Sequence, residues 1–188
     1  MDRQVRGSSL LGILAYIENG LDAARRDSVL KQLPPGRFDK KKIGPNDLYP
    51  IEESNVLVRA IASLTDADAA RYEMMIQCGQ FIANDAINSF LRLLIKFLKP
   101  DLFARKYGDF FRRAHTFGTV QARDFTPHSF VLDMSDVRDY EYIAPMSIGF
   151  MRHTLTAMGC KNLKVKEVLS PPPTPQTGDA YRFEVNWS

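Results

Sequence analysis

The sequence predicts an α+β domain: an N-terminal helical bundle packed on a four-stranded antiparallel sheet, in the order five helices, hairpin, helix, hairpin. Three observations lead there. Between Leu10 and Phe111 apolar residues recur at helical spacing. After His115 the period drops to two. A helical stretch opened by Pro145 and closed by Gly159 then separates one pair of alternating segments from the next. With 188 residues and no internal repeat, the chain reads as one domain over 1–188 with room for a sizeable core.

Ser8 or Ser9 can cap a first helix carrying Leu10, Leu11, Leu14 and Ile17, which Asn19-Gly20 ends. Leu21 to Leu33 forms a second helix, and Pro34-Pro35-Gly36 stops it, because Pro lacks the N–H and restricts the residue before it. Residues 37–49 are a polar loop, and its Lys40-Lys41-Lys42 run reads as solvated surface. Pro50 suits the first turn of a third helix bearing Ile51, Val56, Leu57, Ala60, Ile61 and Leu64. The fourth helix is the long one, Asp66 to Leu98, uninterrupted by Pro and capped by Asp66 or Thr65. Its apolar side contains Gly79, which costs about 1 kcal/mol relative to Ala in a helix, so a backbone or a ligand is expected to approach closely there.

Lys99-Pro100-Asp101 breaks the chain before a fifth helix with Leu102, Phe103, Tyr107, Phe110 and Phe111, expected to bend near Gly108. Gly118–Asp124 and Ser129–Met134 alternate around Thr126-Pro127 and read as a hairpin. Residues 135–142 are polar and mixed. The sixth helix runs from Pro145, with Gly159 as its left-handed cap. Leu163–Leu169 and Tyr181–Trp187 are the last two strands, the final one alternating most cleanly.

Composition narrows the function. Hydrophobic residues are 45% and charged residues 25%, ordinary for a globular protein. A net charge of +3 gives no footprint for nucleic acid. No apolar run reaches the roughly 18 residues that cross a bilayer, and the N-terminal apolar patch is too short and interrupted for a signal peptide. Cys78 and Cys160 make no disulfide framework, so both are expected reduced, in a cytoplasmic protein.

Reaction chemistry is sparse. Three histidines and two cysteines are scattered, with no pair at zinc spacing. His153 is expected to face solvent and His128 to sit in the hairpin turn. A Cys78–His115 nucleophilic pair is set against Cys78 as a small core residue, and the core role is the reading taken. No phosphate loop, Gly-x-Ser-x-Gly turn or acid pair at helical spacing occurs. The chain therefore reads as a non-enzymatic domain.

The order of elements also resembles a superfamily. It is carried by Arg6-Gly7-Ser8, Val29-Leu30-Lys31-Gln32-Leu33-Pro34, Leu48-Tyr49-Pro50, Phe90-Leu91-Arg92-Leu93-Leu94 and Phe110-Phe111-Arg112-Arg113. It ends on Gly178-Asp179-Ala180-Tyr181-Arg182-Phe183-Glu184-Val185-Asn186-Trp187. The superfamily includes haem–nitric-oxide-binding domains, 4-vinyl-reductase-like small-molecule-binding domains and Golgi tethering subunits that hold an acyl chain. Within it the chain looks most like a myxobacterial paralogous family of unknown function. The resemblance implies the fold and a homodimer. It also implies a ligand site between the long helix and the sheet, whose matching wall is Met75, Cys78, Gly79, Ile82, Phe90, Phe117, Phe130 and Met134.

Arg112, Arg113, Arg123 and Arg152 could rim that site for an acidic ligand or partner. A haem-binding member of the superfamily needs a histidine from the helix before the hairpin, and His115 lies near that place. Such members hold the haem propionates with Tyr-x-Ser-x-Arg, whereas here Tyr142-Ile143-Ala144-Pro145 is followed by Ser147 and Arg152 at other spacings. The expectation is therefore no haem and no other cofactor. The expected function is a signalling or regulatory domain that binds a small apolar molecule, a protein partner or both. The alternative is an interaction adaptor with a filled core.

Overall fold

The computed structural model describes residues 2–86, 98–168 and 179–188. A short strand β1 (Gln4–Arg6) leads directly into helix α1 (Gly7–Asn19). It pairs antiparallel with β2 (Leu48–Pro50), a two-strand ribbon too short to show alternation in the sequence. That pairing brings the loop before β2 over the start of α1. The Gly7 and Ser8 N–H groups donate to the Asp47 and Pro45 carbonyls, both at 2.9 Å. Loop carbonyls thus satisfy the first orphan donors, and the expected serine cap is replaced.

Helix α2 (Ala23–Gln32) is capped by Asp22, whose carboxylate accepts from the Arg25 N–H at 2.9 Å, rather than starting at Leu21. Lys40–Lys42 form one 3-10 turn, with Lys40 paired to Glu18. Helix α3 (Ile51–Ala62) follows with Pro50 as its N-cap, buries Leu57, Val58 and Ile61, and leaves Glu52 and Glu53 in its first turn.

Helix α4 (Asp68–Ala86) is the long helix. It begins two residues later than the Asp66 start, and residues 87–97 of the expected Asp66–Leu98 span lie outside the described residues; Leu98 itself is not helical. Helix α5 (Pro100–Ala114) takes Pro100 at its first position, where the missing N–H costs nothing. It is one continuous helix through Gly108, where a bend was expected. The glycine instead admits the neighbouring strand: a Cβ there would sit 2.4 Å from the Val120 carbonyl oxygen.

Strands β3 (Thr119–Thr126) and β4 (Ser129–Ser135) form the expected hairpin. Helix α6 (Ile143–Ala157) starts two residues before Pro145, from Tyr142 in the left-handed region. Strands β5 (Lys164–Glu167) and β6 (Ala180–Asn186) complete the sheet, in spatial order β3-β4-β6-β5 with every neighbour antiparallel. Phe130, Leu132 and Met134 face Val185, Phe183 and Tyr181 across the central pair, and all six are buried. On the opposite face Arg123 and Arg182 flank Asp133, each with an Nε 2.6 Å from its carboxylate.

Helix α4 touches the sheet near its start, where the Tyr72 hydroxyl donates to Glu167 of β5 at 2.9 Å. Its extensive contact is with α6, and α1 and α3 pack on it as well. Two glycines set that crossing. A Cβ on Gly79 would lie 2.0 Å from the Met146 carbonyl oxygen, and one on Gly149 1.9 Å from the Ile76 carbonyl oxygen. The close approach expected at Gly79 is therefore the backbone of α6. Gly149→Ala is expected to lose about 3 kcal/mol or more by urea unfolding, because the methyl forces two helix backbones apart. Gly12→Ala, whose Cβ would meet only the movable Ile82 side chain at 3.2 Å, should lose much less. Equal losses would show that the glycine crossing is not what sets the helix spacing.

Candidate functional site

Beside the glycine crossing lies a cavity of about 260 Å³, with Gly79 and Met146 in its wall. Its described wall comes from four helices and one loop. Ser8, Ser9 and Ile13 come from α1, Gly79 and Ile82 from α4, and Tyr107, Phe110, Phe111 and Ala114 from α5. Ile143, Met146, Ser147 and Phe150 come from α6, with His115 and Tyr140 closing one side. No strand of the four-stranded sheet contributes a described wall residue, so the cavity lies among helices rather than between helix and sheet.

That placement sorts the expected residues. Gly79 and Ile82 are in the wall. Met75, Cys78, Phe130 and Met134 are fully buried elsewhere in the core, and Phe117 packs edge-on against Phe111 beside the cavity without lining it. Phe90 lies outside the described residues. Burial raises the Cys78 thiol far above its ordinary range, which suits a core residue and not a nucleophile. The four arginines do not converge on a rim. Arg112 pairs with Asp109 at 2.5 Å on the outside of α5, and Arg123 sits on the open sheet face with Asp133. Arg113 is exposed, and Arg152 lies close enough to Tyr72 to influence its hydroxyl. His153 is half-buried rather than solvent-facing, and His128 is exposed in the hairpin turn. Among the described residues no three His, Cys, Asp or Glu side chains cluster to hold a metal ion.

His115 is the polar centre of the wall. It follows α5, and its backbone bridges to Val5 of β1, so helix and ribbon fix it together. Its ring stacks on Phe111 with centroids 4.1 Å apart and meets Tyr140 at 5.3 Å and Phe117 at 5.6 Å. Nδ1 lies 2.9 Å from the Phe111 carbonyl oxygen. A carbonyl only accepts, so the proton must be on Nδ1 and Nε2 carries a bare lone pair. Burial among aromatic rings pushes the imidazole down to about 4, so it is neutral at pH 7. Tyr107 and Tyr140 are pushed up to about 12 by burial, with a Ser147 hydrogen bond partly offsetting the shift at Tyr107. The described wall therefore has hydroxyls and one neutral imidazole but no charged side chain.

Tyr140 reaches the wall from a loop in which Asp136, Asp139 and Tyr142 all adopt positive φ. Each left-handed non-glycine costs about 1 kcal/mol or more. Asn55 holds this backbone, donating to the Asp139 carbonyl at 2.7 Å and accepting from the Glu141 N–H at 3.1 Å. The Arg3 guanidinium donates to the Asp136 and Arg138 carbonyls at 2.8 and 3.1 Å and lies over the Phe117 ring.

This arrangement of helices and sheet matches solved structures over nearly their whole length. The fold is that of the H-NOX proteins. An H-NOX protein from K. algicida in the unliganded Fe(II) state aligns with a TM-score of 0.69 at 14% identity, covering 97% of this chain and 96% of that one. One from S. oneidensis in the Fe(II)NO ligation state aligns at 0.66 and 11% identity, covering 97% and 99%. A third, described by the modulation of haem redox potential through protein-induced porphyrin distortion, aligns at 0.64 and 13%, covering 97% and 99%. No protein-family model and no curated protein matches the chain. The expectation of no cofactor is corrected by these neighbours, because proteins described by their iron and haem share the fold from end to end. Among the described residues no helix is long and apolar enough to cross a membrane.

The wall was only partly legible in the sequence. Tyr107, Phe110 and Phe111 belonged to a visible apolar face of α5, but nothing local marked which side of that face is left uncovered. Tyr140 sits in a polar stretch, and its burial depends on Asn55, a contact 84 residues away in sequence.

The imidazole carries a pH test. An unfolded histidine titrates near 6.5 and this folded one near 4, so as pH falls the unfolded chain takes up the proton first. The stability that the neutral ring leaves intact above pH 6.5 is lost progressively down to about 4, by an amount on the order of 3 kcal/mol. Urea unfolding should show wild type losing more stability than His115→Phe over that window. Parallel losses would show that the ring is not held neutral in the fold.

Proposed function

We propose that the chain is a non-enzymatic regulatory domain that binds a small, largely apolar molecule in the cavity among α1, α4, α5 and α6. The observation that carries this is the cavity itself, which persists beside Gly79 although the adjoining helix crossing is closed to backbone contact. A domain serving only as a filled-core adaptor has no use for a concave, mainly apolar cavity of this size. Aromatic and methionine walls with a few convergent polar groups are the usual lining of a ligand site. Occupancy would bear on Tyr140 and His115, and through them on the loop and ribbon at the surface. A protein partner or a second copy of the chain would read that surface, as the sequence resemblance to a myxobacterial paralogous family and its superfamily implies.

His115 favours a second reading, in which the bound molecule is haem. The ring would hold the iron through Nε2: it is part-buried, neutral and oriented by an Nδ1–H bond to a backbone carbonyl. Haem would supply an iron centre able to take a diatomic gas. Ser8, Ser9, Ser147, Tyr107 and Tyr140 are the described wall groups available to its polar edge.

Native mass spectrometry of the purified protein is expected to show an added small-molecule mass that is lost in Ala114→Phe, which fills the cavity from the end of α5. Incubation with haemin tests the second reading. A Soret band that His115→Phe abolishes supports it, and no band in wild type removes it. If wild type carries no added mass and takes up neither apolar compounds nor haemin, the binding function fails.

A further inference from the structure

The described wall holds one polar side-chain atom that can only accept, His115 Nε2. Among the described residues, Ser54 Oγ and Thr154 Oγ1 are the buried side-chain oxygens without a hydrogen-bond partner, and neither lines the cavity. His115 Nε2 is different. Nδ1 is committed to Phe111, no described hydrogen bond reaches Nε2, and the residue is only part-buried. The ring that carries it is part of the cavity wall.

Around it the surfaces are aromatic: Phe111 stacked on one side, Tyr140 tilted on another, with Tyr107, Phe110 and Phe150 farther along the wall. Water can satisfy the lone pair while the cavity is wet. A purely apolar occupant expels that water and strands the lone pair, which is costly in an apolar setting. An anionic occupant brings a charge into a described wall that offers no cation, and it faces the like-signed lone pair of Nε2. An uncharged occupant with one O–H or N–H replaces the lost water bond directly and leaves its rings against the aromatic wall.

We propose that His115 Nε2 selects the ligand by accepting a hydrogen bond, so that the cavity takes uncharged, mainly aromatic molecules bearing a single O–H or N–H donor. This rests on the reading of the cavity as a binding site and names the chemistry of what fills it. The hydroxyl or amine hydrogen lies toward His115, and the ring system extends along Tyr107, Phe110 and Phe150. The wall hydroxyls of Ser8, Ser9, Tyr107, Tyr140 and Ser147 can each donate as well as accept, whereas Nε2 of the neutral imidazole carries no proton and can only accept, so it is the group that requires a donor from the occupant.

Three probes of matched shape test it: 2-naphthol, 2-methylnaphthalene and 2-naphthoate, titrated into the full chain with intrinsic fluorescence and calorimetric readouts. The expected result is that 2-naphthol binds about tenfold more tightly than 2-methylnaphthalene, the worth of roughly one hydrogen bond, while 2-naphthoate binds more weakly than either. His115→Phe should remove the tenfold preference, so that 2-naphthol and 2-methylnaphthalene bind it alike. Wild-type protein with ¹⁵N-labelled histidine gives a readout that needs no variant. The Nε2 resonance should move with 2-naphthol in the direction of hydrogen-bond acceptance and stay in place with 2-methylnaphthalene. Equal affinities for the naphthol and the methylnaphthalene, or an unmoved Nε2 resonance, overturn the proposed selectivity while leaving the cavity as a binding site. Tighter binding of the naphthoate overturns it in the same way. If none of the three binds, the selectivity and the apolar-ligand reading fall together.

Discussion

The close crossing of α4 and α6 at Gly79 and Gly149 sets the shape of everything around it. With no Cβ on either side, the Met146 and Ile76 carbonyls come within about 2 Å of where those atoms would stand. The cavity borders this crossing, with Gly79 and Met146 in its wall and α1 and α5 on its other sides.

What decorates the void comes from segments held by long-range polar contacts. The loop carrying Tyr140 places three non-glycine residues in the left-handed region, a conformation that local sequence does not favour. Asn55 from α3 and Arg3 from the N-terminus impose it through backbone hydrogen bonds. His115 is placed by its own helix and by the β1 bridge to Val5. The two neighbouring rings that close one side of the cavity thus depend on the same N-terminal segment, Tyr140 through Arg3 and His115 through Val5. Local strain near the cavity is offset by hydrogen bonds made farther out, a distribution common where a site has to be held in shape.

The parts that the sequence made legible were those governed by short-range rules. Helical spacing located α1 through α5, alternation located β3, β4 and β6, and Gly159 marked the end of α6. Boundaries slipped where a distant segment did the capping, as at α1, where Asp47 and Pro45 replace Ser8 or Ser9. Gly79 was identifiable as a point of close approach, yet its partner could be named only once α6 was in place. The expected wall drew residues from α4 and the sheet because apolar character alone does not separate a residue that fills space from one that borders it. Phe130 and Phe150 look alike in sequence, but the first is sealed between strands and helices and the second faces the gap. The imidazole was noticed for its position before the hairpin, while its neutrality and its free nitrogen follow from burial and from one carbonyl, neither of which composition records.

The absence of formal charge from the described wall has a consequence outside the molecule. An uncharged aromatic compound able to shed its water and enter such a wall is also one that dissolves in hydrocarbon and passes a lipid bilayer without a carrier. On the proposed reading, occupancy of the cavity would follow the total abundance of such compounds in the surroundings rather than the activity of any uptake system.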